Sequence, residues 1–285
     1  MLLIIVNGLA LGALYGMTAI VYNMQFSTSK VLSFGAGQYA MVGGVIGAYV
    51  TLHLGYPVWL GLLGSLASGA IFGWLSEFIA IRRIVRTSDD HLWILSTLAF
   101  ATIVQQLTGI WWGTEPTPFP RVFEQGYAGV LDQKFWLPIL TAVVMAGAID
   151  IFYRKTMTGK VFLATAEDGL AARARGIGTD NVRAFSFALS GLIGAACGFS
   201  AGQLTFVNFA LGSTLGLGGF VALAVGGIGS NAGGLIGGTL LGLLISFTSH
   251  FVGSQYQNTV AIGLLVLFLL FRPQGLFPKT FLRHV

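Results

Sequence analysis

Apolar runs of near-membrane length follow one another along almost the whole chain. They lie near residues 2 to 23, 31 to 54, 57 to 81, 92 to 112, 135 to 153, 184 to 207, 215 to 229, 233 to 252 and 257 to 271. A helix rises 1.5 Å per residue, so about 20 apolar residues cross a hydrocarbon core roughly 30 Å thick. Only 9% of the 285 residues are charged, against roughly 25% in a soluble domain, which excludes a soluble fold. The chain reads as an all-α polytopic integral membrane protein, a single domain over 1–285 with about nine transmembrane helices, some broken or re-entrant. The run at 215 to 229 is short, and is either a full crossing or one arm of a re-entrant hairpin. Met1–Val6 carries no basic residue, so the first run is expected to stay as a span and not to be cleaved as a signal peptide.

Lys and Arg placement sets the orientation, because loops on the cytoplasmic side carry the positive excess. Nine alternating spans put Lys30, Arg82, Arg83, Arg86, Arg154, Lys155, Lys160, Arg173, Arg175, Arg183, Arg272, Lys279 and Arg283 on one side, against Arg121 and Lys134 on the other. The N-terminus is therefore expected outside and the C-terminus in the cytoplasm. The Pro-rich segment Thr114–Pro120 falls on the external face as an extended cover. The net charge of +5 is explained by these short clusters at span ends, so no nucleic-acid partner is expected.

Glycine, at 41 residues, is about twice its usual share. It recurs in ladders of small residues four apart: Gly8, Gly12, Gly16; Ser65, Gly69, Gly73; Gly194, Gly198, Gly202; Gly229, Gly233, Gly237; and Gly234, Gly238, Gly242. Each ladder flattens one helix face for close packing. Ser33 to Gly47 and Leu215 to Gly238 are denser still, and each glycine costs a helix about 1 kcal/mol. Bent or broken helices are expected there, and broken helices at membrane depth are tolerated where they are buried or line a cavity. Both stretches contain a Gly-Gly pair, Gly43-Gly44 and Gly226-Gly227, which hints at an internal repeat.

The remaining chemistry is sparse. No carboxylate falls near a span midpoint, where an ion-coupled transporter would keep one. Glu77 and Asp150 lie close to Arg82 and Arg154 at span ends and read as interfacial ion-pair partners. No G-x-x-x-x-G-K-[ST] occurs, so the chain has no nucleotide site of its own, and any energy must come from a separate motor. Gly198-Phe199-Ser200-Ala201-Gly202 matches G-x-S-x-G, but a nucleophile elbow needs a strand-to-helix turn and these residues fall inside a helix on a glycine ladder. No catalytic residue and no metal ligand is expected; His53, His250 and the lone Cys197 read as interfacial or structural groups. Neutral polar residues in the glycine-rich breaks remain the candidates to touch a solute: Gly37, Gln38, Tyr39, Ser213, Thr214 and Gly219 form the expected translocation path. Such a path suits a small uncharged or zwitterionic solute.

The longest polar stretch runs from Arg154 to Arg183. Helix formers from Val161 to Arg175, interrupted at Gly169, lead to a glycine stop at Gly176-Ile177-Gly178, after which Thr179 or Asp180 can cap the next helix. This predicts a short helix on the membrane face with arginines projecting from it. It fits a groove in a soluble partner, or serves only as a surface helix.

Ala171-Ala172-x-x-x-Gly176 resembles the EAA loop of ABC importer permeases. The chain as a whole is similar to the LivH/LivM-type permeases of branched-chain amino acid importers, closer to the LivH branch. The shared blocks are Asn7-Gly8-Leu9 with Gly12 and Tyr15, Ser33 to Gly47, Gly176-Ile177, Gly219–Ala222 with Gly226–Ser230, and Phe271–Phe277. The resemblance implies a permease domain of the bacterial inner membrane that is not an enzyme and binds no cofactor. ATP and magnesium would sit on two cytoplasmic ATPase subunits that dock at residues 154–183, through Ala171, Ala172, Arg173, Arg175, Gly176 and Ile177. It implies two further partners besides lipid: a second permease, LivM-like or a copy of this chain, and a periplasmic solute-binding protein. Where the family often has Asn-Phe-Ala-His-Gly, this chain has Ser33-Phe34-Gly35-Ala36-Gly37, and Leu170 stands where the loop's acid would be. The alternative is a stand-alone channel or facilitator for a small neutral solute such as urea.

Overall fold

The computed structural model describes residues 1–82, 92–119, 132–272 and 274–277, without the side chain of Gln133. Arg83, Arg86, Arg121, Lys279 and Arg283, which enter the charge count above, lie outside the described residues, as do Pro120 and Pro273. The apolar runs fold as helices: α1 (Leu2–Ser29), α2 (Ala36–Ala48, continued by a π turn Tyr49–His53), α3 (Val58–Ser76, continued by a π turn Glu77–Ile81), α4 (Leu92–Trp112) and α5 (Gln133–Lys155). Two short helices follow, α6 (Met157–Glu167) and α7 (Gly169–Ala174), and then α8 (Thr179–Thr205), α9 (Leu211–Gly226), α10 (Asn231–Phe251) and α11 (Gln257–Phe271). Among the described residues seven helices are long and apolar enough to cross a membrane, namely α1, α3, α4, α5, α8, α10 and α11 with its leading turn. The π turn brings α2 to Ala36–His53, and α9 has 16 residues.

α1 and α8 form the centre: 72% and 78% of their apolar windows are buried, against 6% for α11. They run antiparallel. Ser186 donates to the Met24 carbonyl at 2.9 Å near one end, and Cys197 reaches the Leu14 carbonyl at 3.4 Å further along. The Gly-x-Ser-x-Gly segment lies inside α8, where the fully buried Ser200 hydroxyl donates to the Cys197 carbonyl at 2.9 Å.

The glycine ladders make the helix crossings. Gly8, Gly12 and Gly16 of α1 face Gly234, Gly238 and Gly242 of α10. A methyl on Gly238 would land on the backbone of Gly12 and Gly16, and one on Gly242 on the backbone of Gly8 and Gly12. Gly69 and Gly73 of α3 meet the backbone of Phe187 and Gly191 of α8 in the same manner, and Gly69 also meets the Ala195 methyl. Gly194 and Gly198 of α8 accept Tyr39 and Ala40 of α2.

These contacts reveal two repeats of opposite sense, α1-α2-α3 and α8-α9-α10. Each begins with a long helix that ends on a non-glycine residue of positive φ, Lys30 (59°) or Phe206 (61°). A break and a shorter glycine-rich helix follow. α1 packs on α9 and α10, while α8 packs on α2 and α3, and α2 meets α9 where Gly37 abuts Gly212 and Gly216. Counted from the start of each short helix, Gly43-Gly44 corresponds to Gly218-Gly219 and not to Gly226-Gly227, which ends α9. The first pair seats on Ala195 and Gly198 of α8, the second on Tyr15 and Thr18 of α1. The pairing of Gly43-Gly44 with Gly226-Gly227 suggested by the sequence is therefore not the one the helices make.

Overpacking a fitted contact costs about 1–3 kcal/mol. Gly238→Leu is therefore expected to lower the melting temperature of the detergent-purified protein. Gly263→Leu, which meets nothing within 4 Å, is expected to leave it within a degree or two; equal effects would refute the ladder as the source of packing.

Candidate functional site

The polar stretch folds as two capped helices. The Thr156 hydroxyl accepts from the Gly159 amide at 2.9 Å and opens α6, earlier than the sequence pattern at Val161 indicates. Asp168 accepts from the amides of Leu170 and Ala171 at 2.9 and 3.0 Å, so the interruption falls at this aspartate cap and Gly169 starts α7. At the far end Gly176 adopts φ 82°. Its amide donates to the Arg173 carbonyl at 2.9 Å and that of Ile177 to the Ala172 carbonyl at 3.0 Å, the two bonds of a Schellman stop. α8 is capped by Gly178 without a side-chain bond. Thr179 and Asp180 are thus inside its first turn and are used differently from the expected cap: Thr179 accepts from Arg173 Nε at 2.6 Å.

Of the six loop residues named from sequence, Ala171, Arg173, Arg175 and Gly176 are exposed, Ile177 is half-buried and Ala172 is buried against the bundle. Leu170 is 79% exposed and projects from the first turn of α7. α6 is tied down by Lys30, whose ammonium donates to the Ala166 carbonyl at 2.5 Å near the α6 C-terminus, a favourable site for a cation. Burial pulls the Lys30 pKa below its ordinary value.

One arrangement was only half visible in the sequence. Glu77 is fully buried and pairs through Oε2 with Arg82 Nη2 at 3.0 Å, as its spacing suggested. Through Oε1 it also pairs with Nε of the nearly buried Arg183 on α8, at 2.8 Å. Arg183 continues to Asp180 at 3.1 Å, and Asp180 to Arg173 of α7 at 3.9 Å. In the sequence Arg183 reads only as a loop charge. The signal available was the Asp180-x-x-Arg183 spacing, which sets both on one helix face, but nothing local joins them to a residue 106 positions away.

The six expected path residues separate into groups. Gln38 and Ser213 line a cavity of about 220 Å³ between α1, α2, α4 and α9, together with Tyr22, Gln105 and Phe220. Gln38 is 3% exposed, and its Oε1 has no hydrogen-bond partner among the described residues. Gly37 and Gly219 lie at helix contacts, against Gly216 and Thr18. Tyr39 is fully buried, with its hydroxyl 2.6 Å from Ser76 Oγ. Thr214 is exposed, and its hydroxyl donates to the Ala210 carbonyl at 3.2 Å. At the opposite end from Lys30, Thr117 and Val207 exchange backbone bonds of 2.9 and 3.0 Å, so part of the Pro-rich segment lies over the break after α8. No group of three or more His, Cys, Asp or Glu side chains among the described residues could share a metal ion.

Broken apolar helices around a neutral cavity, with a structured polar loop at one end, define a polytopic membrane protein. The chain matches, over residues 4–270, the family described as branched-chain amino acid transport system / permease component, and it belongs to that family. It is 29% identical to the high-affinity branched-chain amino acid transport system permease protein LivH of Escherichia coli K12, covering 95% of this chain and 93% of the relative. It is 30% identical to the corresponding permease protein BraD of Pseudomonas aeruginosa, covering 95% and 94%. Two solved structures share the fold: PsaBC from Streptococcus pneumoniae in complex with Fab (TM-score 0.50, 15% identity, 94% and 91% covered) and an inward-facing putative metal-chelate type ABC transporter (0.50, 17%, 93% and 84%). The facilitator alternative draws no support from these relatives.

Gly176→Ala places a side chain at positive φ, and Asp168→Ala removes a cap, each at about 1 kcal/mol. Both are expected to speed amide exchange across 169–177 while exchange in α8 beyond Ser186 stays unchanged; uniform acceleration would refute a local role.

Proposed function

We propose that the chain is a permease subunit of a binding-protein-dependent ABC importer, moving branched-chain or related hydrophobic amino acids by alternating access. The observation that carries this reading is α7, a short helix fixed at both ends and exposed between them except at Ala172, on a chain that belongs to the permease family. α7 is rigid enough to receive a push from a soluble subunit. Its Leu170 supplies an apolar knob where the resembling loops carry an acid, flanked by Arg173 and Arg175. On this reading Ala171, Ala172, Arg173, Arg175, Gly176 and Ile177 belong to the docking element of two partner ATPases, which hold the ATP and magnesium.

The reading places the chain in the bacterial inner membrane with about nine crossings, counting α2 and α9 with the seven longer spans. α9 starts beside Val207, next to Thr117, and ends at Gly226, whose neighbours Gly229 and Ser230 bond Asn23 near the basic end of α1. That supports a full crossing. On this reading the basic end, with Lys30, Arg82, Arg173 and Arg183, is cytoplasmic, as is the C-terminus, and the N-terminus is outside. A second permease, LivM-like or a copy of this chain, and a periplasmic binding protein complete the assembly. The solute passes the cavity lined by Gln38 and Ser213, whose amide, hydroxyls and apolar walls suit a zwitterion with a hydrophobic side chain.

Purification from the native membrane is expected to recover ATPase subunits with this chain, and vesicles are expected to take up leucine, isoleucine or valine only with ATP and binding protein. Recovery of the chain alone, with flux indifferent to ATP, would refute the proposal. Leu170→Asp is expected to weaken ATPase recovery by about 1–2 kcal/mol, as loss of a buried apolar anchor does. Ser213→Trp is expected to leave recovery intact and cut uptake about tenfold by filling the cavity.

A further inference from the structure

The buried charges at the basic end do more than the packing there requires. α3 and α8 are already held by Gly69 and Gly73 against Phe187, Gly191 and Ala195, with Ser65 donating to the Ala195 carbonyl at 3.2 Å. A buried ion pair adds little stability beyond an apolar pair of the same volume, because desolvation offsets its attraction. α7, by contrast, buries only Ala172 in the bundle. Its further side-chain ties to α8 are polar: Arg173 to Thr179 at 2.6 Å and to Asp180 at 3.9 Å. From Asp180 the charges continue through Arg183 to Glu77 and Arg82 without a gap longer than these.

The local backbone fits a joint. Glu77 opens a π turn in which the Arg82 amide donates to the Glu77 carbonyl at 2.8 Å. The wider turn brings residues five apart to one face, so Arg82 covers the second carboxylate oxygen. π turns inserted in α-helices concentrate at functional positions. The same turn touches α4, since Ser96 donates to the Ala80 carbonyl at 2.8 Å. α4 in turn lines the Gln38 cavity with Leu98, Ala101, Thr102 and Gln105.

We infer that Glu77 and Arg183 are positioning residues that carry displacement of α7 into the ends of α3, α4 and α8. The inference rests on the importer reading given above. The carboxylate is suited to the task because it holds two arginines at once, Arg183 on Oε1 and Arg82 chiefly on Oε2. A shift of α8 that draws Arg183 pulls Glu77 and its π turn with it. Neutralising Glu77 leaves two guanidinium groups facing each other with no anion between them; the ends of α3 and α8 then keep the apolar packing of Ala80, Ile81 and Phe187 but lose the charge link through which they follow α7.

The test uses the whole complex with its ATPase subunits in vesicles, and reads solute taken up per ATP hydrolysed. Glu77→Gln keeps the shape and removes the charge. It is expected to keep assembly and hydrolysis within about twofold while the ratio falls about tenfold, in the range of coupling changes seen for residues remote from both ligands. Glu77→Asp keeps the charge and is expected to restore the ratio to within about threefold of wild type. Asp180→Asn cuts the chain outside the buried pair and is expected to lower the ratio about threefold; it decides the matter if Glu77→Gln does not assemble. An unchanged ratio in either neutral variant overturns the inference, and so does a parallel loss of hydrolysis and uptake, the signature of a pair that only stabilises the fold. Wild-type vesicles whose uptake ignores ATP would overturn the importer reading itself, so the two failures are told apart.

Discussion

Backbone lying directly on backbone between helices is the constraint on which the structure rests. Lipid tails are as apolar as leucine, so burying apolar side chains drives helix association far less in a membrane than in water, and dispersion over closely fitted surfaces must do more. At the centre of the crossing of α1 with α10 there is no room for an added methyl: Gly238 and Gly242 face the backbone of Gly8, Gly12 and Gly16. The crossing of α3 with α8 is made in the same way. Such contacts fix the relative positions of whole helices, because a surface without side chains has no rotamers with which to adapt. The outer helices show the complement, with Ile110 of α4 and Leu270 of α11 exposed as a lipid-facing surface would be.

Close packing of this kind explains why the two repeats can be of opposite sense and still share one core. Each long central helix packs against the short helix of the other repeat, α8 through Ala195 and the Gly198 backbone, α1 through the Tyr15 and Thr18 side chains. Each short helix has its glycines where the long helix arrives, Gly43-Gly44 on α8 and Gly218-Gly219 on α1. The breaks between long and short helices fall at opposite ends of the bundle, one at Lys30 and one at Phe206, each with a backbone conformation that a non-glycine residue adopts at a cost. The Lys30 break is held from outside the repeat by the α6 carbonyl that its ammonium reaches, and the Phe206 break by the pairing of Val207 with Thr117. Two strained joints are thus each braced by a segment that belongs to neither repeat, while the glycine faces hold the two repeats to each other.

Much of this was legible in the sequence, for a physical reason: helix position follows from apolar length, and helix contact follows from glycine spacing of four, both local properties. The ladders of α1 and α10 could be named before any contact was known. The caps of the polar stretch were less legible, because Asp168 and Gly169 compete to explain one interruption and only the bond from Leu170 to Asp168 decides it. Tyr39 shows the limit for the path. A tyrosine in a glycine-rich break reads as polar and available, yet its hydroxyl is taken by Ser76 on another helix. Arg183 shows it for the charges. A residue at the start of a span can be an orientation marker or a buried partner, and the difference lies in a carboxylate far away in the chain.

The placement of that carboxylate separates two properties that a transport subunit must combine. Glycine contacts resist deformation in every direction, and they hold α3 to α8 along the membrane interior. Where the helices leave the apolar region, the attachment changes from backbone contact to side chains: Ala80 and Ile81 clustered with Phe187, and a carboxylate shared by two arginines. Charge pairs tolerate small rotations that backbone contacts do not, since a guanidinium can slide across a carboxylate without losing its attraction. The same helix pair is thus stiff at Gly69 and Gly73 and jointed at Glu77, about one turn further on. A load applied to α7 on the proposed reading meets the jointed end first, and the stiff ladder beyond it converts a small local rotation into movement of whole helices. Had the pair been replaced by leucines the bundle would be as well held, but it would have no element in which position depends on direction.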